Sequence, residues 1–143
     1  MNTKINKSLL KGICAGAALM ASTTVFAEEL YTVDGNKVDE KTMMGFKIYK
    51  RAGSVGCIAC HGPTAEGGGS FPNLLESIKK VSKADFIKKV KEGGTAMPPQ
   101  LDGVMKVVKK SKMSEEEAFD ALYGYLKGRS DGAIPSGNLK KIK

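Results

Sequence analysis

The chain has no tryptophan, a single histidine and few aromatic residues, 6% of 143. It has three cysteines, and one of them, Cys14, lies in a leader-like N-terminal stretch. Each shortage excludes something. With aromatics this sparse, a small domain would bury only a thin core of its own. With one histidine, no site inside the chain can use two imidazoles. Zinc in a closed site needs four ligands, and Cys57, Cys60 and His61 leave no further Cys or His to supply the fourth once Cys14 is gone. At 15.2 kDa there is room for one ordinary domain rather than two.

What is present begins with that leader. Residues 1–27 carry Lys4, Lys7 and Lys11 with no acid, then an apolar, small-residue run from Gly12 to Phe26 that ends Val25-Phe26-Ala27. This is the pattern of a secretory signal, with cleavage expected after Ala27. A membrane anchor is the rival, but the run is shorter than the roughly 20 residues needed to span a bilayer, and Ser22-Thr23-Thr24 interrupts it. A lipid-modified Cys14 is rejected because Lys11-Gly12-Ile13 does not suit that processing. The expected division is therefore a signal over 1–27 and one domain over 28–143, exported to the periplasm without a stable membrane anchor. Loss of the three leader lysines lowers the formal charge from +8 to +5. An exported chain without a recognition motif is not expected to bind nucleic acid, and its many lysines around 79–91 and 106–112 read first as a solvated face.

The remaining cysteines and the histidine stand together in "CIACHG", residues 57–62. A redox dithiol is one reading of Cys-x-x-Cys, but nothing upstream of Cys57 reads as the strand-rich unit in which such motifs sit. Cys-x-x-Cys-His is the attachment pattern of haem c. In a short helical turn two thiols can reach two vinyl groups on one face of a porphyrin, while the next imidazole points to iron. Export fits, because such haems are attached outside the cytoplasm.

With His61 as the single imidazole, the sixth position of the iron takes a methionine, takes a lysine or stays open. After processing the methionines are Met43, Met44, Met97, Met105 and Met113, and each also reads as core filler. Met97 differs because it lies in "GGTAMPPQ", a non-helical stretch that Pro98 and Pro99 stiffen and push to extended geometry.

Around these residues the pattern is helical. Asp39 caps a helix over 39–52, with a staple from Val38 to Met43 and a face of Gly45, Ile48, Tyr49 and Ala52. A second helix is predicted from about Lys83 to Glu92, between Ser82 and Gly93, and a third from the capping box Ser114–Glu117 to about Lys127, closed by Gly128. The glycines of "GPTAEGGGS" would let backbone approach a flat ligand closely, though a plain flexible linker fits them too. No stretch alternates as a strand does. The expected class is all-α, three to four helices wrapped around a covalently attached haem.

Taken together, "GFKIY", "CIACHG", "FPNL", "AMPP" and "LYGYLKGR" resemble the class I c-type cytochromes over nearly the whole mature chain. The resemblance implies a crossing of N- and C-terminal helices at Gly45, Tyr49, Leu122 and Tyr125. It also implies thioether bonds at Cys57 and Cys60, His61 and Met97 as axial ligands, and the Pro72 carbonyl as acceptor of the histidine ring N–H. The connection "KRAGSVG" before Cys57 is longer than in many small members, and the tryptophan that often touches a haem propionate is absent. The lead-in "YTVDGNKVD" and the tail "YLKGRSDGAIPSG" look like exported cytochromes that accept electrons from PQQ-dependent alcohol dehydrogenases. A solvated tail without a recognition role fits the same residues. The expected function is one-electron transfer by a monomer that is not an enzyme, from such a dehydrogenase to a terminal oxidase or another cytochrome. The competing class is a gas-binding or peroxidase-like haem protein with an open sixth position.

Overall fold

The computed structural model describes residues 29–143, so the predicted signal over 1–27 lies outside the described residues. Helix α1 spans Glu40–Arg51, and Asp39 caps it by accepting from the Thr42 N–H at 2.9 Å. Val38 and Met43 are both buried, as a staple requires. Two one-turn helices come next, α2 at Ile58–His61 and α3 at Leu74–Ser77. Then come the ten-residue α4 at Lys83–Glu92 and α5 at Leu101–Val108, the latter ending in a 3₁₀ turn at Lys109–Ser111. The long α6, Glu115–Ser130, starts from a complete capping box between Ser114 and Glu117.

Helices α1 and α6 cross to form the centre of the molecule. Gly45 sits at the crossing, where a Cβ would stand 2.0 Å from the Ala121 carbonyl oxygen and 2.8 Å from Tyr125 Cβ. Only a residue without a side chain lets the two backbones come this close. The rings of Phe46 and Tyr49 then pack on Tyr125 with centroids 5.5 and 5.8 Å away. Ile48, Phe119, Leu122 and Leu126 complete a core that also takes Val104 and Val108 from α5. Lys83 of α4 pairs with Asp120 of α6 at 2.7 Å, which pins α4 to the same helix.

Three expectations need correction. Helix α6 does not close at Gly128; it runs on to Ser130, and the buried Ile134 side chain folds back over Gly128, where a Cβ would lie 2.5 Å from Ile134 Cδ1. Helix α5 was not predicted: its Leu101, Val104, Met105 and Val108 keep helical spacing just before the lysines of 109–112, and only Lys106 lies within it. A small sheet is also present. Strands β1 (Val33–Asp34) and β2 (Lys37–Val38) form an antiparallel turn, and β3 (Lys140–Lys141) pairs with β2 in parallel. Strands of two residues are too short to show any alternation in sequence.

Candidate haem site

One turn of helix arranges the motif. His61 N–H donates to the Cys57 carbonyl at 2.9 Å and Gly62 N–H to that of Ile58 at 3.0 Å, leaving Cys57 half-buried, Cys60 exposed and His61 buried. Both thiols are free. Burial pushes the Cys57 thiol up to about 11, with the neighbouring Cys60 adding to the rise. A redox dithiol needs a nucleophilic cysteine with a lowered value, which Cys57 does not supply.

The orientation of His61 is fixed by its Nδ1, 3.1 Å from the Pro72 carbonyl oxygen. A carbonyl can only accept, so Nδ1 carries the hydrogen and donates it. Nε2 is then left with its lone pair for a metal. Pro72 is held from both sides. Its neighbour Asn73 caps α3 by accepting from the N–H groups of Leu75 and Glu76 at 2.9 and 3.1 Å. Against it lies Gly67, at φ +71°, where a Cβ would sit 2.5 Å from the Phe71 carbonyl oxygen and 2.6 Å from that of Pro72.

Two adjoining hollows, about 330 and 240 Å³, share Cys57, His61, Pro72, Lys89 and Met97 as lining and so make one cleft. The first opens past Val55 and Phe71; the second is backed by Tyr49, Leu122 and Leu126. Among the described methionines only Met97 lines this cleft, whereas Met43, Met44, Met105 and Met113 pack against the core elsewhere. Met97 is half-buried in a turn closed by Gly94 N–H to the Met97 carbonyl at 2.7 Å and Met97 N–H to the Gly94 carbonyl at 3.2 Å. An apolar cleft with two thiols, an imidazole lone pair and a thioether on its walls is a donor set that fits haem c, and among the described residues no cluster of three or more His, Cys, Asp or Glu is placed to hold a metal ion. All five residues singled out from sequence therefore meet at one place.

Residues 40–126 match the family described as cytochrome c oxidase, cbb3-type, subunit III. Over 104 residues the chain is 47% identical to cytochrome c-555 of Methylococcus capsulatus, covering 73% of this chain and 75% of that protein. The chain belongs to the c-type cytochromes. It is also 30% identical over 104 residues to cytochrome c-553I of Paracoccus denitrificans, of which it spans 44%. Among solved structures this cytochrome superposes on the c-type cytochrome XoxG from Methylobacterium extorquens AM1 with a TM-score of 0.56 and 30% identity. That match covers 78% of this chain and 65% of XoxG, so the chain spans less than two thirds of that structure. The cytochrome thus has the class I fold, carries covalent haem c and works in one-electron transfer.

Three hydrogen bonds around the site were not foreseen from sequence. The Tyr49 hydroxyl donates to the Gly62 carbonyl at 2.5 Å, Arg129 Nη2 donates to the Thr64 carbonyl at 3.0 Å, and Ser130 Oγ donates to the Leu75 carbonyl at 2.6 Å. Burial raises the Tyr49 hydroxyl well above the usual tyrosine value, so it stays a donor. In sequence Tyr49 reads as a packing residue, and an Arg and a Ser at a helix end read as ordinary terminal residues. No local pattern points to a carbonyl some 60 residues away.

Proposed function

We propose that His61, through Nε2, and Met97, through its sulfur, would hold the haem iron, and that Cys57 and Cys60 would hold the porphyrin as thioether links. The observation that carries this is the His61–Pro72 bond at 3.1 Å in a cleft that Met97 also lines. When bound, haem supplies an iron that changes between ferric and ferrous states by one electron. The chain's own part is to hold that centre still. The Pro72 carbonyl fixes the ring and raises its basicity, the proline-stiffened strap presents Met97, and the apolar walls keep water out. A thioether ligand favours a high potential, which suits an acceptor of electrons.

The wider reading is an exported periplasmic monomer, processed after Ala27, that is a carrier rather than an enzyme. It would take electrons from a PQQ-dependent alcohol dehydrogenase and pass them to a terminal oxidase or another cytochrome. Support comes from the lead-in and tail stretches, from the mature charge of +5, and from Val55 and Phe71, which stay 67% and 43% exposed at the cleft mouth. Among the described residues no helix is long and apolar enough to cross a membrane. Redox contacts of this kind are small and transient, and charge acts on their rate.

Two measurements test the reading. Intact mass of the exported protein should start at Glu28 and retain one haem after denaturation and acid-acetone extraction, and replacing Cys57 and Cys60 together by Ala should release it. Reduction of the ferric protein by the dehydrogenase of the same organism should be fast at low salt and slow as the Debye length shrinks from about 30 Å at 0.01 M to about 10 Å at 0.1 M. No reduction at any salt would overturn the donor; haem extractable from the unaltered protein would overturn the assignment of the cysteines.

A further inference from the structure

The loop between His61 and α3 has two limbs. The first, residues 62–66, comes directly after the histidine, and the second, 71–75, contains the carbonyl that receives its ring N–H. One backbone bond joins the limbs directly, Leu74 N–H to the Ala65 carbonyl at 2.9 Å, and two more shape the bend between them, Gly67 N–H to the His61 carbonyl at 2.9 Å and Phe71 N–H to the Gly68 carbonyl at 3.0 Å. Those bonds shape the loop but do not attach it to the rest of the molecule.

Attachment comes from Tyr49 of α1, at the Gly62 carbonyl of the first limb, and from the last turn of α6, which reaches both limbs. Arg129 Nη2 takes the first limb at the Thr64 carbonyl, 3.0 Å, and the next residue, Ser130, takes the second at the Leu75 carbonyl, 2.6 Å. The other arm of the guanidinium donates to the Ile134 carbonyl at 2.8 Å, which fixes the plane of the fork. Nε is buried without a partner. A buried donor left without a partner is costly, so the two carbonyl bonds are what hold the guanidinium here. A rigid fork that bonds in two directions is available to arginine and not to lysine.

We infer that Arg129 and Ser130 are positioning residues for His61, setting the separation of the two limbs and with it the His61–Pro72 hydrogen bond. The inference rests on the reading of His61 as the iron ligand. A weaker bond at Nδ1 makes the imidazole a poorer donor to iron, which favours the ferrous state and raises the reduction potential.

The test uses the haem-loaded exported protein and four variants: Ser130→Ala, Ser130→Thr, Arg129→Lys and, as a control on the same helix, Lys127→Ala. Lys127 pairs with Asp131 and is not bonded to either limb. Both Arg129→Lys and Ser130→Ala keep the net charge, so a change in either cannot be a charge effect. Solvent exchange of the His61 Nδ1–H in the ferrous protein, followed by NMR, should become about tenfold faster in Ser130→Ala and in Arg129→Lys, the factor that about 1.4 kcal/mol of lost restraint gives. The reduction potential should rise in the same two. Ser130→Thr, which keeps the hydroxyl, and Lys127→Ala should behave as the unaltered protein does. Ser130→Ala decides alone if Arg129→Lys does not fold. Unchanged exchange and potential in folded Ser130→Ala, or equal acceleration in Lys127→Ala, would overturn the inference. An unaltered protein with haem attached and no haem-shifted histidine ring N–H would instead overturn His61 as ligand.

Discussion

The loop that carries His61 and the strap that carries Met97 line the same cleft, and they are held by different means. On the histidine side, side chains from two other helices reach in: Tyr49 of α1 to Gly62, Arg129 and Ser130 of α6 to Thr64 and Leu75. On the methionine side the bonds stay close to home. Gly94 and Met97 bond each other, the Gln100 side chain donates to the Pro98 carbonyl at 3.1 Å, and Gln100 N–H reaches back only to Val90 at 2.9 Å. Stiffness there comes from the fixed dihedrals of Pro98 and Pro99 rather than from neighbours. Each side has a glycine under its ligand. Gly67 lies against the Pro72 carbonyl, and Gly93, at φ +76°, would place a Cβ 2.4 Å from the Met97 carbonyl oxygen. The lesson is that one ligand is built into the fold and the other is presented by a local device, so equal changes on the two sides should have unequal results.

Gly67→Ala should be the most damaging. Its positive φ and the 2.5 Å approach to the Phe71 carbonyl leave a cross-linked loop no room to yield, so stability should drop by about 3 kcal/mol, read from a denaturant midpoint, and the His61 ring N–H should lose its protection. Gly93→Ala meets an equally close carbonyl, but the strap can shift. The expected loss is about 1–2 kcal/mol, with weakening of the red-edge sulfur-to-iron absorption of the ferric protein. A larger loss for Gly93→Ala than for Gly67→Ala would break the comparison. Met97→Ala should abolish that absorption and lower the potential while haem stays attached, at about 1 kcal/mol for a half-buried side chain; Met105→Ala should leave both spectrum and potential intact.

The smallest effect concerns pH, through groups at the start of α1 and the end of α6. Partial burial works against the Asp39 carboxylate, but the Thr42 hydroxyl and the N–H groups of Thr42, Thr32 and Lys41 outweigh it and hold it below the usual 3.8. Asp131 is lowered too, by Lys127 first, with slight burial opposing and Tyr31 assisting. Both carboxylates favour the folded state above 3.8 and lose that contribution as pH falls through their lowered values. Tyr31 is shifted the opposite way, raised by its bond to Asp131 and then by burial, so its contribution is present below 10.0 and disappears as pH climbs through the raised value. A thermal midpoint measured across pH should therefore fall at both extremes, and Asp131→Asn should flatten both shoulders.

Much of the site was legible from sequence because ligand chemistry is local. Cys57, Cys60 and His61 announce themselves by spacing, and Met97 by the prolines beside it. Helices α1 and α4, and the start of α6, were readable because Asp39, Ser82 and Ser114 are caps whose partners lie three residues away. Helix α5 was hidden because it is only eight residues long, carries Gly103 inside it, and Gln100 offers no side-chain cap. The end of α6 was misplaced because Gly128 normally reads as a stop, and the reason it does not stop there, Ile134, only acts once the tail has folded back. The bonds from Arg129 and Ser130 are of that kind as well, since their acceptors are backbone carbonyls, which every residue has.

The parallel pairing of β3 with β2 has a kinetic consequence. Lys37 meets Lys140 and Val38 meets Lys141, closing a circuit of about a hundred residues with two short strands. So long a closure returns few contacts for the chain entropy it removes, which makes the tail a latch, the last piece to dock and the first to lift. Amide exchange at Lys140 and Ile142, whose N–H groups bond Asn36 and Val38, should then report opening of the latch, while the α1–α6 crossing reports unfolding of the whole.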